Sequence, residues 1–589
     1  MSAASDVDEP AGAPTDAAET PGLPLAELAG IVRHEPAVVA MLGRSNATLA
    51  VPDPARALTI AGLATASKRH PFVVVTPTGA EAERLVADLA AFLGPDEVDH
   101  LPAWDTLPFE RVSPGTETMG RRLRTFWHLS DPERAPRVVV APVRALIQRL
   151  GPTALDPDPV VVGHGDVVDA EVLVERLVRA GYRREYQVEN RGELAVRGSI
   201  IDVFPATADV PVRIDLWGDE VDRLTEFSVA DQRSTRDLAE IEVFPCREVL
   251  ADADVVARAE ALAAREPWGR DQWERLARGE TFDGMESWLP WLAGDELVVP
   301  DLLGADAQIV LVEPRRIRDR AADVVAEEVD LAQSLARAWG VGDGVVLPRL
   351  HVDFDRLLAR CDAPVWPLTA VAASPEDATV NARGWPNVVG DGEALVNQLR
   401  DLLNDGYRVV VGADGVGSAT RVAELLRDRG LDFAAGGSGL ARSGGTVVVQ
   451  PLERGCILPE VKLAILAEAD LTGRRRAHRR ARPRRRESQG FFDDLKPGDY
   501  VVHHHHGVAR YGGMVKRAIG GAERDYLLLE YRGDDKLYVP SDQVDAVRHY
   551  TGGESPSLNR LGGADFAKTK AKVRSAVQEI AQELVVLYQ

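Results

Sequence analysis

PFVVVTPTGAEAERLVADLAAFLG, residues 71–94, constrains the fold more than any other stretch of the chain. A run of β-branched apolar residues is followed by the three-to-four apolar spacing of an amphipathic helix. This reads as a buried strand feeding a helix. RVVVAPVRALIQRL, residues 137–150, repeats the scheme. Two strand-then-helix units imply a parallel α/β sheet, because parallel strands need a long crossover between them. A third α/β unit occupies about 350–470, with YRVVVGAD, a helix over Ser418 to Arg429, TVVVQ and VKLAILAEAD.

The stretches between have a different character. Residues 163–240 contain a helix in GHGDVVDAEVLVERLVRAGYRR. Alternating strands follow in ELAVRGSIIDVFPA and VPVRIDLWGDEVDRLTEFSV, with WGDE (217–220) as a hairpin turn. This is an α+β insertion. Residues 241–345 are helix-rich and include the strand DAQIVLVEP. Residues 494–550 are dense in short strands: DYVVH, VARYGGMVKRAI, DYLLLEYR and KLYVP, with Tyr511, Leu528, Tyr531 and Tyr538 expected in their core. Ala564–Tyr588 reads as a long helix, with apolar positions at Val573, Val577, Ile580, Leu584 and Leu587.

At 589 residues the chain is long enough for several domains. Its three cysteines are far apart and form no CxxC, which suits a reducing cytoplasm. No apolar run has the length of a membrane span. Residues 1–22 have neither a basic start nor an apolar centre, so a disordered tail is expected rather than a signal peptide. A net charge of −23 disfavours a protein that coats DNA. Against that balance stands RRRAHRRARPRRR, residues 474–486. Two readings stay open there. One is a solvated spacer. The other is a phosphate-contacting arm through Arg474, Arg475, Arg476, Arg484 and Arg485.

A large α/β protein invites a search for a nucleotide loop. GxxxxGK[ST] is required, so that backbone amides cradle phosphates while lysine and hydroxyl meet phosphate and magnesium. The chain has no Gly-Lys dipeptide. GADGVGS, residues 412–418, has the wrong spacing and reads as a turn and helix N-cap. No GxSxG, HExxH or Cys–His arrangement occurs, and no catalytic residue is assigned. HHHH at 503–506 lies in DYVVHHHHGVARY, which reads as strand, turn, strand. Adjacent histidines on a strand point to opposite faces, so a turn is favoured over a metal site.

Two groups of motifs resemble one family. LPAWDTLPFERVSPGTETMGRRL (101–123), RGSIIDVFPA (197–206) and VRIDLWGDEVDRL (212–224) resemble the module shared by UvrB and the bacterial transcription-repair coupling factors, the Mfd family. GDYVVHHHHGVARYGGM (498–514) and KLYVPSDQVDAVRHYTGG (536–553) resemble that family's CarD-related, RNA-polymerase-interacting domain. His503, His506 and Gly507 match a family turn of the form H-x-x-H-G-[VI], while His504 and His505 fall at variable positions. The match covers nearly all of residues 25–589.

The resemblance implies a multidomain α/β architecture in eight segments. A tail (1–24) precedes a helicase-like α/β lobe with a degenerate nucleotide loop (25–155 and 244–347; VPDPARALTI, 51–60, at the loop position). That lobe is interrupted by a UvrA-binding-like α+β domain (156–243). An α/β domain (348–470), an Arg-rich linker (471–490) and a CarD/Tudor-like β-barrel (491–553) follow. A long helix (554–589) then leads toward a translocase motor that these residues lack.

The implied function is an adaptor for transcription-coupled repair, binding stalled RNA polymerase and recruiting UvrA. ATP, magnesium and DNA would belong to the motor. A cytoplasmic monomer without membrane contact is expected. For UvrA the candidates are Arg183, Arg197 and Phe204, with Phe204 either an anchor for the partner or a core residue. For the polymerase β subunit the candidates are Val515, Arg517 and Ile519, sharing one face of GGMVKRAIGG (512–521). That strand is either an open edge or internal. The rival functions are an ATP-dependent DNA translocase, as the whole family protein, and a CarD-like regulator without a repair role.

Overall fold

A computed structural model describes residues 25–109, 112–293, 296–338, 347–385, 392–435, 444–472, 497–503, 506–519, 522–533, 535–540, 547–550 and 556–561. The tail at 1–24, the arginine run at 474–486 and the helix expected over 564–588 lie outside the described residues.

Phe72–Thr76 forms a strand buried at every position. Thr78 then caps the helix Gly79–Leu93: its Oγ accepts from the Glu81 amide at 3.3 Å and donates to Glu81 Oε2 at 2.9 Å. Gly94 ends the helix at φ +103°, where any other residue would be strained. The second strand, Val138–Pro142, is equally buried, but its helix lasts only one turn, Val143–Leu146.

These strands lie in a seven-stranded, wholly parallel sheet. Its order is Ala378–Thr379, Leu49–Ala50, Val365–Thr369, Gln308–Val312, Phe72–Thr76, Val138–Pro142, Val98–His100. Helices cover both faces, as a parallel sheet requires. One apolar cluster holds Phe72, Val74, Val140 and Trp366 under the first helices. The other holds Val73, Val75, Val139 and Phe126 under Thr116–Leu129 and Pro314–Ala338. The expected boundary at residue 348 falls inside this unit. Val365–Thr369 and Ala378–Thr379 complete the first sheet instead of opening the next α/β unit.

The second α/β sheet runs in the order Arg383–Gly384, Cys456–Leu458, Leu463–Ala467, Arg408–Gly412, Gly444–Val448, Phe433–Ala435. Val410, Val448 and Ile465 join the same apolar cluster as Phe72 and Val74, so the two units share a core. The glycine-rich turn at 412–418 is a helix N-terminus: Gly415 precedes the helix Val416–Asp428, and Ser418 Oγ accepts from its amide at 3.1 Å.

The α+β insertion enters through Val160–Gly163 and leaves through Glu240–Val243, which pair antiparallel as a stalk. Beyond the stalk stands a six-stranded sheet, ordered Ser234–Asp237, Glu220–Phe227, Val212–Trp217, Ile200–Val203, Glu193–Arg197, Arg183–Arg184. The WGDE turn joins two of these strands, with Trp217 opposite Glu220 and Gly218 at φ +66°. The helix Ala170–Arg179 and residues Leu194, Ile201, Val203 and Ile214 bury one face.

A last, five-stranded antiparallel sheet has the order Lys536–Pro540, Ala522–Glu530, Gly507–Ile519, Tyr500–His503, Val547–His549. Its core holds Val501, Ala509, Tyr511, Leu527, Leu529 and Tyr531. Leu528 and Tyr538, expected in that core, are half-buried and pair with each other on the opposite face. Strand alternation forces this once Leu527 and Leu529 point inward. No helix among the described residues is long and apolar enough to cross a membrane.

Candidate partner-binding surfaces

On the six-stranded sheet, residues alternate between the helix-covered face and an open one. Arg197, Ile200, Asp202, Arg213, Asp215 and Trp217 fall on the open side by register. At its centre Asp202 is fully buried and is gripped from both sides. Arg213 donates from Nε to Oδ1 at 2.7 Å and from Nη2 to Oδ2 at 2.9 Å. Arg197 Nη2 also donates to Oδ2. The hydrogen bond to Asp202 is what holds the Arg213 guanidinium above its already high ordinary pKa. Burial raises the Asp215 carboxyl beside it, with Arg213 opposing.

The three sequence candidates on this sheet are placed differently. Arg197 is on the open face, with 38% of its side chain exposed. Arg183 is on the edge strand, well exposed, with Glu193 at 4.0 Å. Phe204 is inside: it packs with Val188, Ala195 and Phe227 and is 7% exposed, with the Arg191 guanidinium 5.4 Å from its ring. Its ring therefore fills the domain's own core in this conformation. Two aromatic residues that the candidate set lacks are open to solvent, Tyr186 at 65% and Trp217 at 81%. Trp217 could have been found from the alternation of VRIDLW, since it follows Arg213 and Asp215 on the polar register.

In the five-stranded sheet, the strand Gly507–Ile519 is internal along its first half. Gly507–Arg510 pairs with Tyr500–His503 on one side, and Arg510 onward pairs with Ala522–Glu530 on the other. A bulge falls between Tyr511 and Gly513, which sits at φ +106°. Beyond it, Met514–Ile519 has one strand neighbour among the described residues, Ala522–Glu530. Val515 lies there, half-buried, opposite Tyr526. Arg517 and Ile519 are on the same strand, and their side chains lie outside the described residues. Met514, 44% exposed, is a further apolar group on this strand. His503 and His506 are both buried and stack at 4.6 Å between ring centres, so these two histidines of the run are packed side chains. Among the described residues no group of histidine, cysteine and carboxylate side chains could hold a metal ion.

Two family models match the chain: the UvrB interaction domain over residues 160–248, and the CarD-like/TRCF RID domain over residues 495–551. The first covers the stalk and the six-stranded sheet, and the second covers the five-stranded sheet. Transcription-repair-coupling factors match nearly the whole chain. The protein of Mycobacterium bovis is 37% identical over 96% of this chain and 49% of its own length. That of Bacillus subtilis is 29% identical over 88% and 46%, and that of Staphylococcus haemolyticus 27% over 93% and 49%.

The chain belongs to the transcription-repair-coupling factor family.

It spans about half the length of the curated relatives it matches.

The position expected for a degenerate nucleotide loop is a turn, Asp53–Ala55, running into the helix Arg56–Ala66. A cleft of about 140 Å³ opens beside it, lined among others by Asp53, Arg56, Glu81, Arg84, Glu453 and Arg454. Ion pairs cross it: Arg56 to Asp53 at 2.7 Å and to Glu313 at 3.0 Å, Arg454 to Asp53 at 3.3 Å, and Arg84 to Glu453 at 3.7 Å. A site for a drug-sized ligand or cofactor is usually several hundred Å³. Here the arginines that could meet phosphate are committed to carboxylates, and these tie the first α/β unit to the second.

Proposed function

We infer that the chain is the adaptor portion of a transcription-coupled repair factor. Its UvrB-interaction-type domain offers UvrA the open face of the six-stranded sheet, with Arg197 and Arg183 as charge-assisted contacts. Its RID-type domain, a CarD/Tudor-like barrel in this reading, meets the β subunit of RNA polymerase by strand addition along Met514–Ile519. The first α/β unit is a helicase-like lobe that has lost its nucleotide loop. ATP, magnesium and duplex DNA belong to a translocase motor expected of the longer relatives. The Arg-rich linker, residues 474–486, is either a spacer or an accessory phosphate contact. What carries this reading is that the two family matches fall in one chain, each on a sheet of its own.

The test is a bridging pull-down. Immobilised RNA polymerase should retain UvrA only when the chain is present. Lys516→Pro should abolish polymerase retention and leave UvrA binding intact, because the register that closes the hairpin at Ile519 and Ala522 turns the Lys516 amide away from Ala522–Glu530. Arg197→Glu should do the reverse. A folded chain that retains neither partner overturns the reading.

A further inference from the structure

The histidine pair of the five-stranded module reaches out of its own sheet. His506 Nδ1 stands 3.4 Å from Asp283 Oδ2 of the first α/β unit's helical segment. His506 itself is 7% exposed, stacked on His503 and edge-on to Tyr531. Burial lowers its pKa against the pull of Asp283. Beside it Val112, from the loop between strand and helix in the first unit, packs against the module's apolar core.

The receiving surface is built rather than incidental. The Ser113 amide donates to Asp283 Oδ1 at 3.1 Å, the Gly284 amide donates to Ser113 Oγ at 2.8 Å, and that hydroxyl donates to Glu286. Glu286 is fully buried and held by Arg247 at 2.9 Å. Upstream in the same loop, Phe109 adopts φ +64°, a left-handed conformation that is a strained outlier for a bulky residue. Its ring is fixed against Trp291 at 5.9 Å. Ser113 is thus held by Asp283, Gly284 and Glu286, next to Val112.

We propose that His503, His506 and Gly507 form a reversible intramolecular latch, seating the five-stranded module on the Val112–Ser113 and Phe282–Glu286 loops. The contacts that carry it are the apolar plug at Val112 and the His506–Asp283 pair. Covalent linkage favours such a contact by raising the module's effective concentration. The latch fixes the orientation of the module relative to the UvrB-like unit, and it opens without unfolding either. It needs no partner, so it goes beyond the coupling reading and can fail independently of it.

The test is amide hydrogen exchange on the whole chain, with small-angle scattering on the same samples. Val112→Glu and Asp283→Arg change only the receiving side. Each should speed exchange of the Tyr500–Val508 segment by about fivefold or more, while Ala522–Glu530 keeps its protection and the radius of gyration rises. Unchanged exchange and radius in both variants overturns the latch. Loss of protection in Tyr500–Val508 and in Ala522–Glu530 together also overturns it, because the contact would then belong to the module's own core.

Discussion

Arg122 and Glu248 are 126 positions apart, yet Arg122 Nε lies 2.6 Å from Glu248 Oε1 with both side chains fully buried. Trp104 Nε1 donates to the same oxygen at 2.7 Å, and Arg122 Nη1 donates to the Pro102 carbonyl at 2.9 Å. Glu248 follows the exit strand of the inserted domain, and Arg122 is in the helix Thr116–Leu129. The pair therefore stitches the stalk to the parallel unit. Glu248→Ala leaves a buried guanidinium unpaired and should cost about 3–5 kcal/mol, read as a lower urea midpoint. An Arg122→Met, Glu248→Leu double variant removes both charges and should lose far less. Equal losses in the two proteins would show that packing rather than charge is at stake.

What could be read from the sequence was what local chemistry decides. The 71–94 strand and helix, the hairpin at Trp217–Glu220 and the N-cap at Gly415 all follow from short-range patterns. The membership of the first sheet did not. Leu49–Ala50 is only two residues long, too short to announce a strand, yet it lies between Val365–Thr369 and Ala378–Thr379 and draws them into the first unit. The helix-rich stretch conceals a second long-range feature, the packing of Trp268, Trp273, Trp288 and Trp291, with Trp273 and Trp288 at 4.8 Å. Alternation divides the six-stranded sheet into two faces but does not say which is covered. Register puts Arg197 and Phe204 on the same face, where Arg197 is at the rim and Phe204 is covered by Val188 and Phe227, so alternation alone could not separate anchor from core.

His351 should make stability fall in mild acid. It is 1% exposed, its Nδ1 meets Glu328 Oε2 at 2.8 Å, and its Nε2 is buried without a partner. Burial lowers its pKa despite the carboxylate, which fits a neutral ring protonated on Nδ1. The unfolded chain takes up its proton near pH 6.5, where the folded state refuses it. The stabilisation is thus complete above that pH and declines below it. His70 and His506 shift in the same direction. Thermal melts from pH 7.5 to 5.5 should show the decline, and His351→Gln should flatten it. An identical slope in the variant would remove His351 as a source.

The cysteines should be silent in the native protein. Cys246 and Cys456 are buried, and burial pushes both thiols up to about 12. Cys361 is half-buried and also raised. Thiolate is the reactive form, so an aromatic disulfide reagent at pH 8 should label at most Cys361, and slowly. All three should react in denaturant. Rapid native labelling of Cys246 would mean that the stalk opens.

Nucleotide turnover should be absent from these residues. The cleft beside Arg56 has no lysine, and its arginines are paired with Asp53, Glu313 and Glu453. With ATP and duplex DNA the purified chain should release phosphate at the background rate. Turnover that a substitution at Arg56 abolishes would contradict this.

The arginines around Asp202 separate a binding role from a folding role. Arg213 makes two hydrogen bonds to Asp202 and a third to the Gln232 carbonyl at 3.2 Å, and it lies 4.8 Å from the Phe227 ring. Arg197 makes one, at the rim. Arg197→Ala leaves the buried carboxylate still paired, so stability should fall by no more than about 1 kcal/mol. Arg213→Ala removes two of three donors from a fully buried anion and should cost about 2–3 kcal/mol. UvrA affinity should separate the two effects. If Arg197 is a contact, its loss weakens binding roughly tenfold or more in a protein that melts almost normally. Arg213→Ala should weaken binding only as far as the sheet loosens, and cooling should restore it. An Arg197→Ala chain that folds and binds UvrA like the parent would move the interface off this rim, toward the exposed edge at Arg183 and Tyr186.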